Sequence, residues 1–125
     1  MSTRINGRFW HSGEENGVLV LGFADDKDQP SQYLLLQRTL APSAQDRRLG
    51  QDGIHIEIND QSNSAYGGIR RVELKEDRIV LSLGESTARA IGSEENVEVV
   101  IDPAKNDDLR DELARLFAGQ NVEIR

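Results

Sequence analysis

Few residues of this chain are of types that do chemistry, and most of those few are spaced like turn residues. His11 and His55 lie far apart, and no serine sits in a G-x-S-x-G elbow. The cysteine count is zero, which removes thiol nucleophiles, thiolate metal sites and disulfides together. Asp25, Asp26 and Asp28 crowd one short stretch, yet it lacks the glycine and distal glutamate of a calcium loop. Asp60, Ser62 and Ser64 place oxygens at every second position with one carboxylate among them, which suits a hydrogen-bonded turn better than a cation. Gly67-Gly68 is followed by no Gly-Lys-Ser/Thr sequence, so it reads as a tight turn with positive φ, not a phosphate cradle. Arg70-Arg71, with Arg38 and Arg47-Arg48, reads as a solvated face paired with Glu73 and other acids. These readings predict no catalytic residue, no cofactor and no metal.

The segment Asn59 to Gly68 is the most unusual one, a dense run of turn-forming residues around Asp60, Asn63 and Tyr66. Such a run either binds something or closes on itself through hydrogen bonds, and both remain open here. Tyr66 stands out because an exposed tyrosine is a frequent anchor at interfaces. His55 and Glu57 share one face of Ile54–Ile58, opposite three isoleucines, which makes them surface or interface residues.

The elements that must position these residues follow from hydropathy patterning. Ile5–Trp10 reads as a first strand, and Gly17–Phe23 and Tyr33–Arg38 are apolar on both faces and read as central strands. The charged turn Asp25–Pro30 separates them, and Ala41–Gly53 reads as a loop. Ile69–Lys75 and Arg78–Leu83 form a hairpin around Glu76-Asp77, with Val72 and Leu74 on the side of Ile79, Leu81 and Leu83. Ser86 caps a short helix that Gly92 ends, Val97–Ile101 is a strand, and Val122–Ile124 a last short one. The clearest helix runs from near Asn106 to Gly119, with Leu109, Leu113, Leu116 and Phe117 on one face and acids in its first turns. Strands outnumber helices without sustained β-helix-β alternation. The expectation is therefore an α+β fold, a mostly antiparallel sheet of about seven strands with the C-terminal helix packed on one face. With 125 residues and no linker or repeat, the expectation for 1–125 is one domain.

Twenty-two acidic and 15 basic residues give a net charge of −7, which argues against nucleic-acid binding and suits a basic protein partner. No apolar run is long enough for a signal peptide or a bilayer span, so a soluble, cytoplasmic protein with no membrane partner is expected.

The order of LGFAD (Leu21 to Asp25), YLLLQR (Tyr33 to Arg38), IHIEINDQSNSAYGGIRRVEL (Ile54 to Leu74) and LRDELARLF (Leu109 to Phe117) resembles the immunity protein 10 family. The most specific part is E-x-N-D-Q followed by YGGI, Glu57 to Gln61 and Tyr66 to Ile69. The resemblance implies a polymorphic-toxin system, in which such a protein binds and blocks a cognate toxin domain; it carries over no catalytic residue. On that reading the partner-binding residues are Asp25, Asp26, Asp28, His55, Glu57, Asp60, Asn63 and Tyr66. A second reading is a small enzyme or ligand-binding domain with Glu57, Asp60, Tyr66 and Arg70 around one pocket. A third is a homo-oligomer formed through an exposed sheet edge.

Overall fold

The computed structural model describes residues 2–125. Its strands are β1 (Ser2–Asn6), β2 (Phe9–Glu15), β3 (Val18–Ala24), β4 (Tyr33–Thr39), β5 (His55–Ile58), β6 (Asp60–Tyr66), β7 (Ile69–Leu74), β8 (Arg78–Leu83), β9 (Asn96–Val100) and β10 (Glu123–Ile124). The helices are α1 (Ala44–Arg48), α2 (Glu85–Ile91) and α3 (Asn106–Leu116). The α+β class holds, but the strands divide between two five-stranded sheets instead of forming one of seven. The first sheet runs β1-β9-β8-β7-β10 and the second β2-β3-β4-β5-β6. The second is antiparallel throughout. The first is mixed, because β1 pairs with β9, and β10 with β7, in parallel.

The division starts at Gly7. Sequence patterning runs Ile5 to Trp10 together as one strand; the chain instead breaks there, leaving Ile5 in the first sheet and Trp10 in the second. A Cβ on Gly7 would overlap the side chains of both Val99 and Phe23. The crossing is therefore possible only without a side chain, and Gly7 N–H still donates to Val100 O at 2.8 Å. The return crossing passes through Gly67 and Gly68, at φ 76° and 82°, the left-handed region that glycine tolerates and the turn expectation required.

Alternate residues of each sheet meet in one cluster of buried side chains. Leu21, Phe23, Leu34, Leu36 and Ile56 come from the second sheet, and Val72, Ile79, Leu81, Val97 and Val99 from the first. The α3 face read from the sequence is buried at Leu109, Leu113, Leu116 and Phe117. Arg38 fixes the end of this helix by donating from Nε to Leu116 O (2.7 Å) and from a terminal nitrogen to Arg115 O (3.1 Å), a cation on the negative end of the helix dipole. Helix α2 adds Thr87, Ala88 and Ile91 to the buried set.

Three local expectations change. Asn59–Gly68 is not a turn throughout: Asn59 (φ 61°) at its start and the two glycines at its end take the left-handed conformation, while Ser64–Tyr66 pairs with β5, His55 opposite Tyr66 and Glu57 opposite Ser64, beyond a register shift next to Asp60. Pairing with a neighbour overrides the low strand preference of Asn, Asp and Ser. Ala41–Gly53 contains α1, nucleated by reciprocal bonds between Ser43 and Asp46 at 3.0 and 2.8 Å. Helix α2 starts one turn position earlier than Ser86, behind Gly84, with no side-chain cap; Gly92 ends it at φ 71° as expected.

Candidate functional site

The register places every second side chain of the second sheet away from the core. Phe9 and His11 on β2 lie beside Ala24 and Gly22 on β3, which lie beside Tyr33 and Leu35 on β4. Leu35 and Gln37 then lie beside Glu57 and His55 on β5, and these beside Ser64 and Tyr66 on β6. This outer face is half-buried to exposed, rich in apolar and aromatic groups, and continuous across the sheet. Its deepest part is a groove of about 470 Å³ between Phe9, His11, Pro30, Tyr33 and Leu35, with Lys27, Lys105 and Asp26 at its edge. Gly22 forms the floor: a Cβ there would stand 3.1 Å from His11 Cε1 and 3.6 Å from Leu35 Cδ1, so any larger residue would narrow the trough.

Beside the groove, Tyr33 Oη donates to Glu57 Oε2 at 2.5 Å. Burial first, then this bond and the Glu57 charge, push the Tyr33 phenol up to about 12. A phenol held protonated against a carboxylate that already accepts its proton positions two strands; it offers no base near neutral pH. Further along, the His55 and Tyr66 rings stand 4.8 Å apart at 55°, and His55 Nδ1 is buried with no hydrogen-bond partner. Tyr66 is 45% exposed, which leaves one side of this ring pair open.

The structure thus gathers His55, Glu57 and Tyr66 on one face and brings Asp26 to the groove. It does not bring the remaining sequence-predicted residues together with them. Asp25 closes the β3–β4 connection by accepting from Ser31 Oγ (2.6 Å), Ser31 N (2.9 Å) and Gln32 N (3.0 Å). Its carboxyl is held below the usual range, first by the Ser31 hydroxyl and then by the Gln32 amide. Asp26 accepts from Asp28 N and Gln29 N at 2.8 and 3.1 Å, bonds that likewise lower its pKa. Asp60 accepts from Ser62 N (2.8 Å) and Ser62 Oγ (2.7 Å), so the carboxylate–serine spacing is the hydrogen-bonded turn expected of it, and its pKa falls for that reason. Asn63 lies next to Ser64 on β6, on the opposite side by strand alternation. Arg70 lies elsewhere, against Gly84 at the start of α2, so the Glu57–Asp60–Tyr66–Arg70 set does not line one pocket. Among the described residues no group of three or more His, Asp or Glu side chains could hold a metal ion.

The residues that sequence reasoning passed over are those of the groove itself, above all Phe9, Gly22, Lys27, Tyr33, Leu35 and Lys105. A signal for them existed. Val18-Leu-Val-Leu-Gly-Phe and Tyr33-Leu-Leu-Leu are apolar at every position, which patterning reads as burial on both faces; here one face is core and the other is the open trough.

Fold and face together define an α+β domain with two mixed or antiparallel five-stranded sheets, one of which leaves an apolar outer face uncovered. The chain belongs to the immunity protein 10 family, whose family model matches residues 6–109. That span reaches from the last residue of β1 into α3 and includes the whole second sheet. No curated protein matches the chain. Among the described residues, no helix is long and apolar enough to cross a membrane.

Proposed function

We propose that this protein binds a cognate bacterial toxin domain one to one and neutralises it by occlusion, without chemistry of its own, in the cytoplasm of the cell that makes both. The observation that carries the reading is the family match over residues 6–109. The net charge of −7 supports it, since an acidic protein steers toward a basic partner at a distance. The open face of the second sheet is the contact surface, with Tyr66, His55 and Glu57 toward one end and the groove toward the other. Asp25, Asp26 and Asp60 serve the interface indirectly, by shaping the connections that border it with carboxylates already bonded within their own turns.

Co-expression tests this directly. Cells producing the toxin domain encoded beside this chain survive when the chain is present, and calorimetry of the purified pair gives a stoichiometry of one. Loss of viability despite equal amounts of folded protein, with no complex on a sizing column, defeats the reading.

A further inference from the structure

We infer that the groove on the open face anchors an acidic segment of the partner, one that presents an apolar side chain beside a carboxylate. The inference rests on the toxin-binding reading and adds the place and the chemistry of the contact.

In a chain of net charge −7, a locally positive trough is an exception that needs a cause. Lys27 and Lys105 stand at the edge of the groove. Arg8 and Lys27 lie over the Phe9 ring, 5.1 and 5.8 Å from its centroid. Among the described residues none of these three cations has a carboxylate within ion-pair distance. The ion pairs form elsewhere, on Arg4, Arg71, Arg78, Arg89, Arg115 and Arg125. The acids nearest the groove are already engaged, Asp26 by two backbone amides and Glu57 by the Tyr33 hydroxyl. Neutral donors do not cancel a carboxylate's charge; the groove is positive because its lining holds Lys27 and Lys105 against the single acid Asp26.

The floor of the groove is apolar. Gly22, Leu35, Phe9 and Pro30 offer apolar surface, so an anion alone would leave it wet and an apolar group alone would leave the lysines unmatched. A segment with both matches both. The face runs on past the groove to the His55–Tyr66 pair, which suits an extended protein contact better than an enclosed small molecule. A second copy of this chain is disfavoured by repulsion between two molecules of charge −7. The overall negative charge and the positive trough do not conflict: the first guides approach, while at contact the local charges dominate, because salt screens anything beyond about 10 Å.

The test is calorimetric titration with the toxin domain encoded beside this chain, inactivated by substitution, at low and high salt. The double reversal Lys27→Glu/Lys105→Glu lowers affinity at least about tenfold at low salt and less at high salt. Leu35→Ala lowers it about tenfold at both, and Arg4→Glu, on the outer face of the first sheet, changes it by no more than about twofold. Both lysines are exposed, so the reversal leaves the fold intact, and melting curves verify that for every variant. Wild-type affinity in both groove variants overturns the inference while the binding reading stands, and tighter binding by the reversal overturns it equally, since it assigns the trough a basic ligand. A wild-type protein that binds no toxin brings down the reading and the inference with it. A dimer in light scattering that Leu35→Ala disperses gives the face to a second copy and also overturns the inference.

Discussion

The two sheets share a core and differ on their outsides. The outer face of the first sheet is laced with ion pairs: Glu98 lies 3.6 Å from Arg4 and 3.4 Å from Arg78, and Arg71 lies between Glu73 and Glu123 at 3.6 and 3.3 Å. The corresponding face of the second sheet carries Phe9, Val20, Tyr33, Leu35 and Tyr66, and among the described residues Lys27 and Lys105 beside it have no such partners. A face crowded with alternating charge is well solvated and resists pairing with another chain. An apolar trough with unmatched cations has no such protection. Within one short chain, the contrast separates a side that is finished in isolation from the side on which the proposed partner would dock.

Neighbouring leucines of β4 point to opposite faces of the second sheet. Leu36→Ala removes a side chain that is 1% exposed in the shared core, at a cost of about 2–5 kcal/mol in urea unfolding. Leu35→Ala, one residue away on the open face, costs about 1 kcal/mol. Equal losses would mean that the open face is as much a part of the core as the inner one.

The crossings that separate the sheets come next. Gly7→Ala forces a methyl group between Val99 and Phe23, and Gly68→Ala puts one on Thr87 at a residue with φ 82°. Each destabilises by about 1–3 kcal/mol, Gly68 the more because backbone strain adds to overlap. Denaturant melts of the two variants measure this, and a neutral Gly7→Ala would show that the crossing does not depend on close approach.

Smaller still is Glu98→Gln, which takes the shared partner from Arg4 and Arg78. Arg4 is 65% exposed at its side chain, so solvent screens the pair and the loss is about 0–1 kcal/mol. The loss shrinks in high salt, which unfolding at two salt concentrations detects. Removing Lys27 and Lys105 has no such salt-sensitive effect on stability, because among the described residues neither forms an ion pair.

At neutral pH the titration of Tyr33 contributes no change; its effect is confined to alkaline pH and has a definite sign. Its pKa is raised from 10.0 to about 12 in the folded protein, so the native state keeps a proton that the unfolded chain releases. The contribution is complete below pH 10 and is lost as pH climbs toward 12. Tyr33→Phe removes that part of the alkaline loss of stability, and absorbance at 295 nm shows one phenol of the wild type titrating near 12. An unchanged alkaline profile in the variant would detach Tyr33 from Glu57.

Much of this protein was legible in its order of residues. The hairpin around Glu76-Asp77, the buried stripe of α3, the left-handed Gly92 and the bonded Asp60–Ser62 turn all follow from interactions within a few positions along the chain. So does the family, whose motifs are strings of neighbours. What no local pattern encodes is the partition into two sheets, because Ile5 and Trp10 look alike in a hydropathy profile and are separated only by the lack of room at Gly7 between Val99 and Phe23. The same holds for the groove. Phe9, Gly22, Lys27, Leu35 and Lys105 meet only after three strands, the connection between two of them and a later turn have packed, and the apolar runs that supply most of them carry no mark distinguishing a face turned to the core from one left open. Side-chain alternation along a strand is set by the backbone, but which of the two faces finds a neighbour is set by the rest of the molecule.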